Sequence, residues 1–407
     1  TPGVSAVSTT IRDDHDASFD LSWRGNVVAV VSDSTRVLGD GDVSPPGGLG
    51  VMEGKAFLMK MLGGVDAVPI CLDSRNAVGR HDPEILVDCV RRLAPSFGAI
   101  NLEDISQPNC FRVLDALRED CGIPVWHDDA QGTGCVTLAG LLNALKVTGR
   151  QLAASRLVFF GAGASNTTIA RLILLAGADP ARIALFDSHG GLHAGRQDIA
   201  SDPRFYRKWE LCQATNPDRL DNIAEALRGA DVLIALSRPG PDVIRPEWVR
   251  GMARDAIVFA CANPVPEIYP HAAKAAGARV VATGRGDFPN QVNNSLGFPG
   301  ILKGALLVRA RKITDAMAIA AAQTIAAFAE RQGLTEDHIM PLMTDEAVFA
   351  ETAAAVAAQA VADGVARRPM SPARILEQAG RDIAEAHAAL ELLVASGRIP
   401  PPPEDMI

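Results

Sequence analysis

The chain has 407 residues, 48% of them apolar, with 39 Lys and Arg against 48 Asp and Glu. That length supports two or three domains with cores of their own, and that apolar content excludes a disordered chain. The mildly acidic balance without basic runs excludes a general nucleic-acid surface, and no apolar run reaches membrane-spanning length.

The first 130 residues alternate strands and helices. "GNVVAVVSD" reads as a buried strand, "VMEGKAFLMKML" as a short amphipathic helix and "DAVPICLD" as a second strand. "PEILVDCVRRLAPS" has helical spacing, and "FGAINLED" is a third strand ending in acids. "VWHDDAQGTG" continues the pattern with a strand, two adjacent acids and a Gly-rich turn into the helix "CVTLAGLLNALKVTG". "SRLVFFGAGASNTTIARLILLAGA" then reads as strand, Gly turn and helix, followed by the strands in "RIALFDSHG", "ADVLIALSRPG" and "AIVFACANP". From Lys303 the chain is mostly Ala-rich helix, punctuated by "PMSP" and by the Pro400–Pro403 run, which reads as extended. The expected fold is α/β: an αβ domain over 1–130, a Rossmann-like doubly wound domain over 131–302, and a helical segment over 303–407 packing on both. Seven dispersed cysteines with no CxxC pair fit reduced thiols in a cytoplasmic protein. No signal peptide is recognisable, and because the chain opens on Thr1 rather than Met, a preceding N-terminal piece is expected.

"GAGASN" opens a helix directly after a strand. Gly161 permits the tight turn, Gly163 lets the backbone approach a pyrophosphate, and the helix N-terminus at Ala164 and Ser165 favours the anion. Asn166 replaces the third glycine of that fingerprint, so a plain tight turn is the alternative. Asp187 ends the next strand, 26 positions after Gly161, where a carboxylate can bond the ribose of NAD. It would repel a 2′-phosphate, whereas His189 and Arg196 stand close enough to accept one. NAD is therefore the expected cofactor and NADP the alternative.

Glu103 with Asp104, and Asp128 with Asp129, sit at the ends of successive strands. Helix capping accounts for one Asp of each pair but not for both pairs. Converging carboxylates need a cation, and hard oxygen ligands suit Mg²⁺ or Mn²⁺ better than zinc. His127 reads as a packing or supporting residue. Lys55 lies among Met52, Leu58, Met59 and Leu62, where a lysine either has a lowered pKa suited to base work or snorkels to solvent. Arg36 is placed to grip a carboxylate or to form a surface ion pair. Asn263 and Asn294, near strand ends, fit Asx turns and gain interest only beside the other residues.

In order along the chain, "VVSDSTRVLG", "VMEGK", "INLEDIS", "VWHDDAQGT", "GAGAS", "LSRPG", "ANPVPE" and "ATGRGDFPNQVNNSLGFPG" resemble the malic enzyme family, in its compact bacterial-type members. The resemblance implies oxidative decarboxylation of a 2-hydroxy diacid, malate to pyruvate and CO₂, with NAD or NADP and a divalent metal. It implies metal ligands Glu103, Asp104 and Asp129, a catalytic Lys55 oriented by Asp128, and a substrate-binding Arg36. Asn263 and Asn294 would hold substrate near the nicotinamide, and Ser237 of "LSRPG" with Asn263 would border the cofactor. It also implies a homodimer or higher homo-oligomer, and a general-acid Tyr immediately ahead of "TPGV". Tyr206 and Tyr269 stand in other contexts. Asp40 and "SPPGG" depart from the family pattern around the Arg36 loop, which leaves a different 2-hydroxy acid as an alternative substrate, and a non-catalytic relative as a further alternative.

Overall fold

A computed structural model describes residues 2–400. The apolar run that predicts the first strand forms β1 (Val27–Ser32), buried along its whole length and so placed inside its sheet. β2 (Asp66–Cys71), β3 (Ala99–Leu102) and β4 (Val125–His127) join it, all parallel, in the order β2-β1-β3-β4. The two-residue period of a strand divides β1 between two cores. Val28 and Val30 face the large core shared with the rest of the molecule. Val27, Ala29 and Val31 face a separate cluster with Leu86, Val90 and Val113 from the helices Pro83–Leu93 and Asn109–Asp120.

The second sheet contains β5 (Leu157–Phe160), β6 (Ile183–Asp187), β7 (Gly190–Gly191), β8 (Val232–Ala235), β9 (Ala256–Ala260) and β10 (Ala278–Thr283). Its order is β10-β9-β8-β5-β6-β7, parallel except for the β6–β7 pair. From β5 the chain moves outward to β6 and then returns to the opposite side for β8. That reversal opens a crevice at the carboxyl end of β5, where doubly wound sheets bind ligands. The same alternation operates here: Val232 and Ile234 of β8 enter the large core, Leu233 and Ala235 the outer cluster. The molecule is thus an α/β protein with two largely parallel sheets, as the sequence implied.

The C-terminal helices cover both parts. Phe298–Leu307 and Pro372–Ala395 pack on the helix Ser44–Gly63 of the first part, and Asp315–Gln332 packs on Thr133–Val147. The buried Lys303 ties the seam by donating to Asn26 Oδ1 at 3.0 Å and pairing with Asp382 at 2.5 Å.

Three local expectations are corrected. The helix bearing Lys55 is 20 residues long, and "SPPGG" is its first turn rather than loop. Proline is pre-set for that position and lacks the N–H that would go unpaired there. The acids of "HDDAQGT" stand in one wide helical turn, Asp128–Gly132, which runs without a break into the next helix. β10 was not among the expected strands, because Arg279 interrupts its apolar pattern on the exposed side. The expected extended tail falls at Pro401–Pro403 outside the described residues.

Candidate active site

β3 and β4 are neighbours with Leu102 opposite His127, so the chain emerges from both at one level and delivers the two acid pairs together. Oxygens of Glu103, Asp104 and Asp129 lie within 4.8 Å of one another. Asp104 adopts a left-handed backbone (φ 54°), and its N–H donates to Asp129 Oδ2 at 2.6 Å. Asn101 donates to Glu103 Oε2 at 2.8 Å. Burial pushes all the acids up: Asp128 to about 6, Glu103 to about 7 and Asp104 to about 9, with Asp129 adding repulsion to both Glu103 and Asp104. Burial likewise raises Asp129, to which Asp128 adds. Asp104 Oδ2 is buried without a partner. An oxygen-only, over-charged cluster with an orphaned ligand atom fits a hard divalent cation. His127 is outside it: its nearest ring nitrogen is 3.9 Å from Asp129, and burial pushes its pKa down to about 4, leaving it neutral.

Lys55 reaches this cluster from the helix that covers the sheet. Its Nζ is hydrogen-bonded to Asp128, lies 3.1 Å from Glu103 Oε1, and sits 4.6 Å from the centre of the Phe298 ring. Neither alternative, a lowered pKa or a side chain that snorkels to solvent, is met: the side chain is largely buried and its pKa is raised. Burial does lower it, but Asp128, Glu103 and Asp129 together outweigh burial and hold the ammonium protonated. The other Asp128 oxygen accepts from Trp126 Nε1 at 3.1 Å. Gly132 leaves room for that carboxylate, since a Cβ there would lie 2.0 Å from Asp128 Oδ1. Trp126, Phe298, Asn101 and Gly132 escaped the sequence reading. Only Trp126 carried a signal, because a buried indole N–H needs an acceptor.

Arg36 is exposed and makes no ion pair among the described residues, so the surface-bridge alternative finds no partner. Its backbone N–H donates to the Asp104 carbonyl at 3.0 Å, which fastens the loop to the acid cluster. The loop is also tied by polar side chains: Ser74 donates to Asp33 at 2.7 Å, and His81 bridges Ser74 (2.7 Å) and Asp42 (3.1 Å). Asp40 is exposed. Gly39 approaches the Asn263–Pro264 turn, and Asn294 lies beside Gly132. The side-chain amides of Asn263 and Asn294 have no protein partner among the described residues, so neither forms an Asx turn. Asn293, one position earlier, caps instead.

At the carboxyl end of β5, Gly161 has φ 98° and a Cβ there would lie 2.3 Å from the Leu236 carbonyl oxygen. A Cβ at Gly163 would meet nothing within 4 Å, so the ground beside the start of helix Ala164–Leu175 is open. An anion-bearing dinucleotide fits that opening. Asn166 braces the turn by donating to the Phe160 and Gly161 carbonyls at 3.2 and 2.8 Å, while Ser165 donates to the Asp129 carbonyl at 2.9 Å. The buried Glu267, also missed from sequence, accepts from Ser237 N–H (2.8 Å) and Ala262 N–H (3.0 Å), joining the turns after β8 and β9. Ser237 also turns its hydroxyl toward Glu267, at 3.2 Å. Asp187 ends β6 as expected, but Arg196 is not free to receive a phosphate: it clamps both Asp187 oxygens at 3.1 Å. Burial raises Asp187, yet Arg196 and the His189 N–H outweigh it and hold the carboxyl below its usual range. Tyr206 is committed to Asp115, and Tyr269 stacks on His271 at 5.6 Å.

With this geometry in place, known proteins can be set beside the chain. Residues 4–118 match the family description "Malic enzyme, N-terminal domain", and residues 130–363 match "Malic enzyme, NAD binding domain". The NAD-dependent malic enzyme of Geobacillus stearothermophilus is 45% identical over 91% of this chain and 75% of its own. The bifunctional malic/malolactic enzyme of Bacillus subtilis is 43% identical over 93% of this chain and 89% of its own. The Entamoeba histolytica malic enzyme structure is 62% identical with a TM-score of 0.98, covering 100% of this chain and 84% of that one.

Proposed function

The chain belongs to the malic enzyme family, and from that premise we propose that it oxidatively decarboxylates (S)-malate to pyruvate and CO₂ with reduction of NAD or NADP. The observation that carries the reading is Lys55 held by Asp128 at the edge of the three-acid cluster, which Ser165 joins to the Gly161 turn through the Asp129 carbonyl.

Glu103, Asp104 and Asp129 would hold Mg²⁺ or Mn²⁺, which supplies positive charge against a substrate hydroxyl and carbonyl. A dinucleotide bound at the Gly161 turn would supply the hydride acceptor for C2. Everything else falls to side chains of this chain. Arg36, exposed and without an ion-pair partner among the described residues, binds a substrate carboxylate. The free amides of Asn263 and Asn294 orient the substrate between metal and nicotinamide. Lys55 would take the C2 hydroxyl proton at Nζ as the hydride leaves, and the enolate left when the C3–C4 bond breaks and CO₂ departs would take one proton back at C3, so no proton is gained or lost overall. As an ammonium, Lys55 must first pass a proton on, and Asp128 is the hydrogen-bonded acceptor beside it. Trp126 and Gly132 keep that acceptor in place.

The division of labour proposed is substrate and metal on 1–130, dinucleotide on 131–302, and a covering helical segment on 303–407. The exposed Leu49 and Phe57 on the Lys55 helix support a homodimer or higher homo-oligomer, and the seven dispersed free cysteines suit a cytoplasmic location. Purified protein supplied with (S)-malate, Mn²⁺ and NAD or NADP should form reduced nicotinamide and pyruvate in equal amounts. Absence of turnover with both cofactors in the full-length protein would sink the reading.

A further inference from the structure

All five N–H donors of Arg196 are used. Nε and one NH2 hydrogen bond Asp198 at 2.8 and 2.7 Å. The other NH2 hydrogen and one on NH1 bond Asp187, both at 3.1 Å, and the last reaches the Gly191 carbonyl at 3.2 Å. A guanidinium has no sixth donor. The partners differ in kind. Asp187 ends β6 and is largely buried, whereas the Asp198 side chain is 55% exposed on the short helix Gln197–Ala200.

On the Asp187 side, three of roughly four acceptor positions of the carboxylate are filled, two by Arg196 and one by the His189 N–H at 2.9 Å. Lys208 Nζ stands 3.7 Å from Asp187 Oδ2. Two carboxylates, one guanidinium and one ammonium leave the cluster without net charge. A ribose hydroxyl, a single neutral donor, can use the acceptor position that remains. A 2′-phosphate, with a charge of about −2, would meet a neutral cluster whose arginine is saturated.

We propose that Asp198 is a specificity-determining residue: by occupying Arg196 it makes the ribose end of the site favour NAD, and its removal turns Arg196 into a 2′-phosphate receptor. The inference rests on the dinucleotide reading given above. Without Asp198, Nε and one NH2 hydrogen become free together, as a planar pair matching two phosphate oxygens, and the cluster gains one positive charge. Asp187 and the Gly191 carbonyl still hold the guanidinium in place. The phosphate would take up the position the Asp198 carboxylate leaves.

The test compares wild type, Asp198→Ala and Asp198→Glu by calorimetric titration with NAD and with NADP, alongside kcat/KM for each cofactor. Wild type should bind NAD more tightly. Asp198→Ala should shift the NADP-to-NAD ratio upward by about tenfold, equivalent to about 1.4 kcal/mol. Asp198→Glu, which can refill the guanidinium, should return the ratio toward wild type. A wild type that prefers NADP overturns the proposal, as does an Asp198→Ala ratio unchanged within about twofold. Should wild type bind neither dinucleotide, the functional reading fails and takes this inference with it. If NAD binds and only the ratio refuses to move, this inference fails alone. Because Asp198 is exposed, circular dichroism of the variants should match wild type with only a small fall in melting temperature from the lost bonds to Arg196, and a ratio measured on a folded variant decides the matter.

Discussion

Two clusters of charged side chains differ in their charge balance. Around Lys55 there are four carboxylates and one cation, and burial with mutual repulsion raises every acid. Around Arg196 there are two carboxylates and two cations, and both acids are lowered, Asp198 to about 2 through its hydrogen bonds with Arg196. Both clusters sit beyond strand ends and read alike as acidic residues near basic ones. The first carries an excess of negative charge that an added cation would offset. The second is already balanced, which is the basis of the cofactor selectivity proposed for it.

The strongest way to break this contrast is to remove a ligand. Asp129→Ala should lower Mn²⁺ affinity by at least about 100-fold, the upper end of the roughly 10–100-fold typical for removing only an outer partner of a ligand, and abolish turnover. Calorimetry with Mn²⁺ decides it; wild-type affinity in the variant would remove Asp129 from the metal site. Lys55→Ala should cut kcat by about 10²–10⁴-fold. It should leave Mn²⁺ binding intact or tighter, because a competing positive charge is gone from among the carboxylates. Joint loss of metal and activity would mean that Lys55 only holds the cluster together.

A smaller effect sharpens the comparison through pH. Glu103 and Asp104 have folded values of about 7 and about 9, above their ordinary 4.5 and 3.8. Groups raised on folding contribute their full stability below the unfolded values and lose it as pH rises through the folded ones. Metal-free protein should therefore melt at progressively lower temperature from pH 6 to 9, the window spanned by Asp128, Glu103 and Asp104. Saturating Mg²⁺ should restore more of the melting temperature at the upper end, because binding displaces protons. The Arg196 cluster runs the other way. Its lowered acids contribute above the unfolded value of 3.8 and lose that contribution only as pH falls below it, so it adds no slope in this window. Equal melting temperatures at pH 6 and 9 in chelator, unchanged by Mg²⁺, would contradict the charge imbalance around Lys55.

Much of the fold was legible because strand and helix periods are local properties. Val27 to Val31, Leu157 to Phe160 and Ile183 to Asp187 announce themselves by apolar runs bounded by turns. β10 was not, since Arg279 disguises it and only pairing with β9 makes it a strand. The acid pairs and the Gly161 turn were visible as motifs. The state of Lys55 was not. Spacing along one helix shows apolar neighbours but cannot show carboxylates that arrive from β3 and β4, with Asp128 lying 73 positions away.

The sequence by itself determined which chemistry is present: hard oxygen ligands in pairs, an anion-binding turn, a lysine among apolar residues, and the ordered motifs of a family. Residue type and short-range spacing suffice for that, because ligand hardness and turn conformation are local. Only the tertiary structure decided how each group is employed. The parallel neighbours β3 and β4 bring two acid pairs to one point, the docked helix places Lys55 under their field, and the loop after β7 spends every donor of Arg196. Charge state and hydrogen-bond occupancy are sums over everything nearby in space, and that sum is written nowhere along the chain.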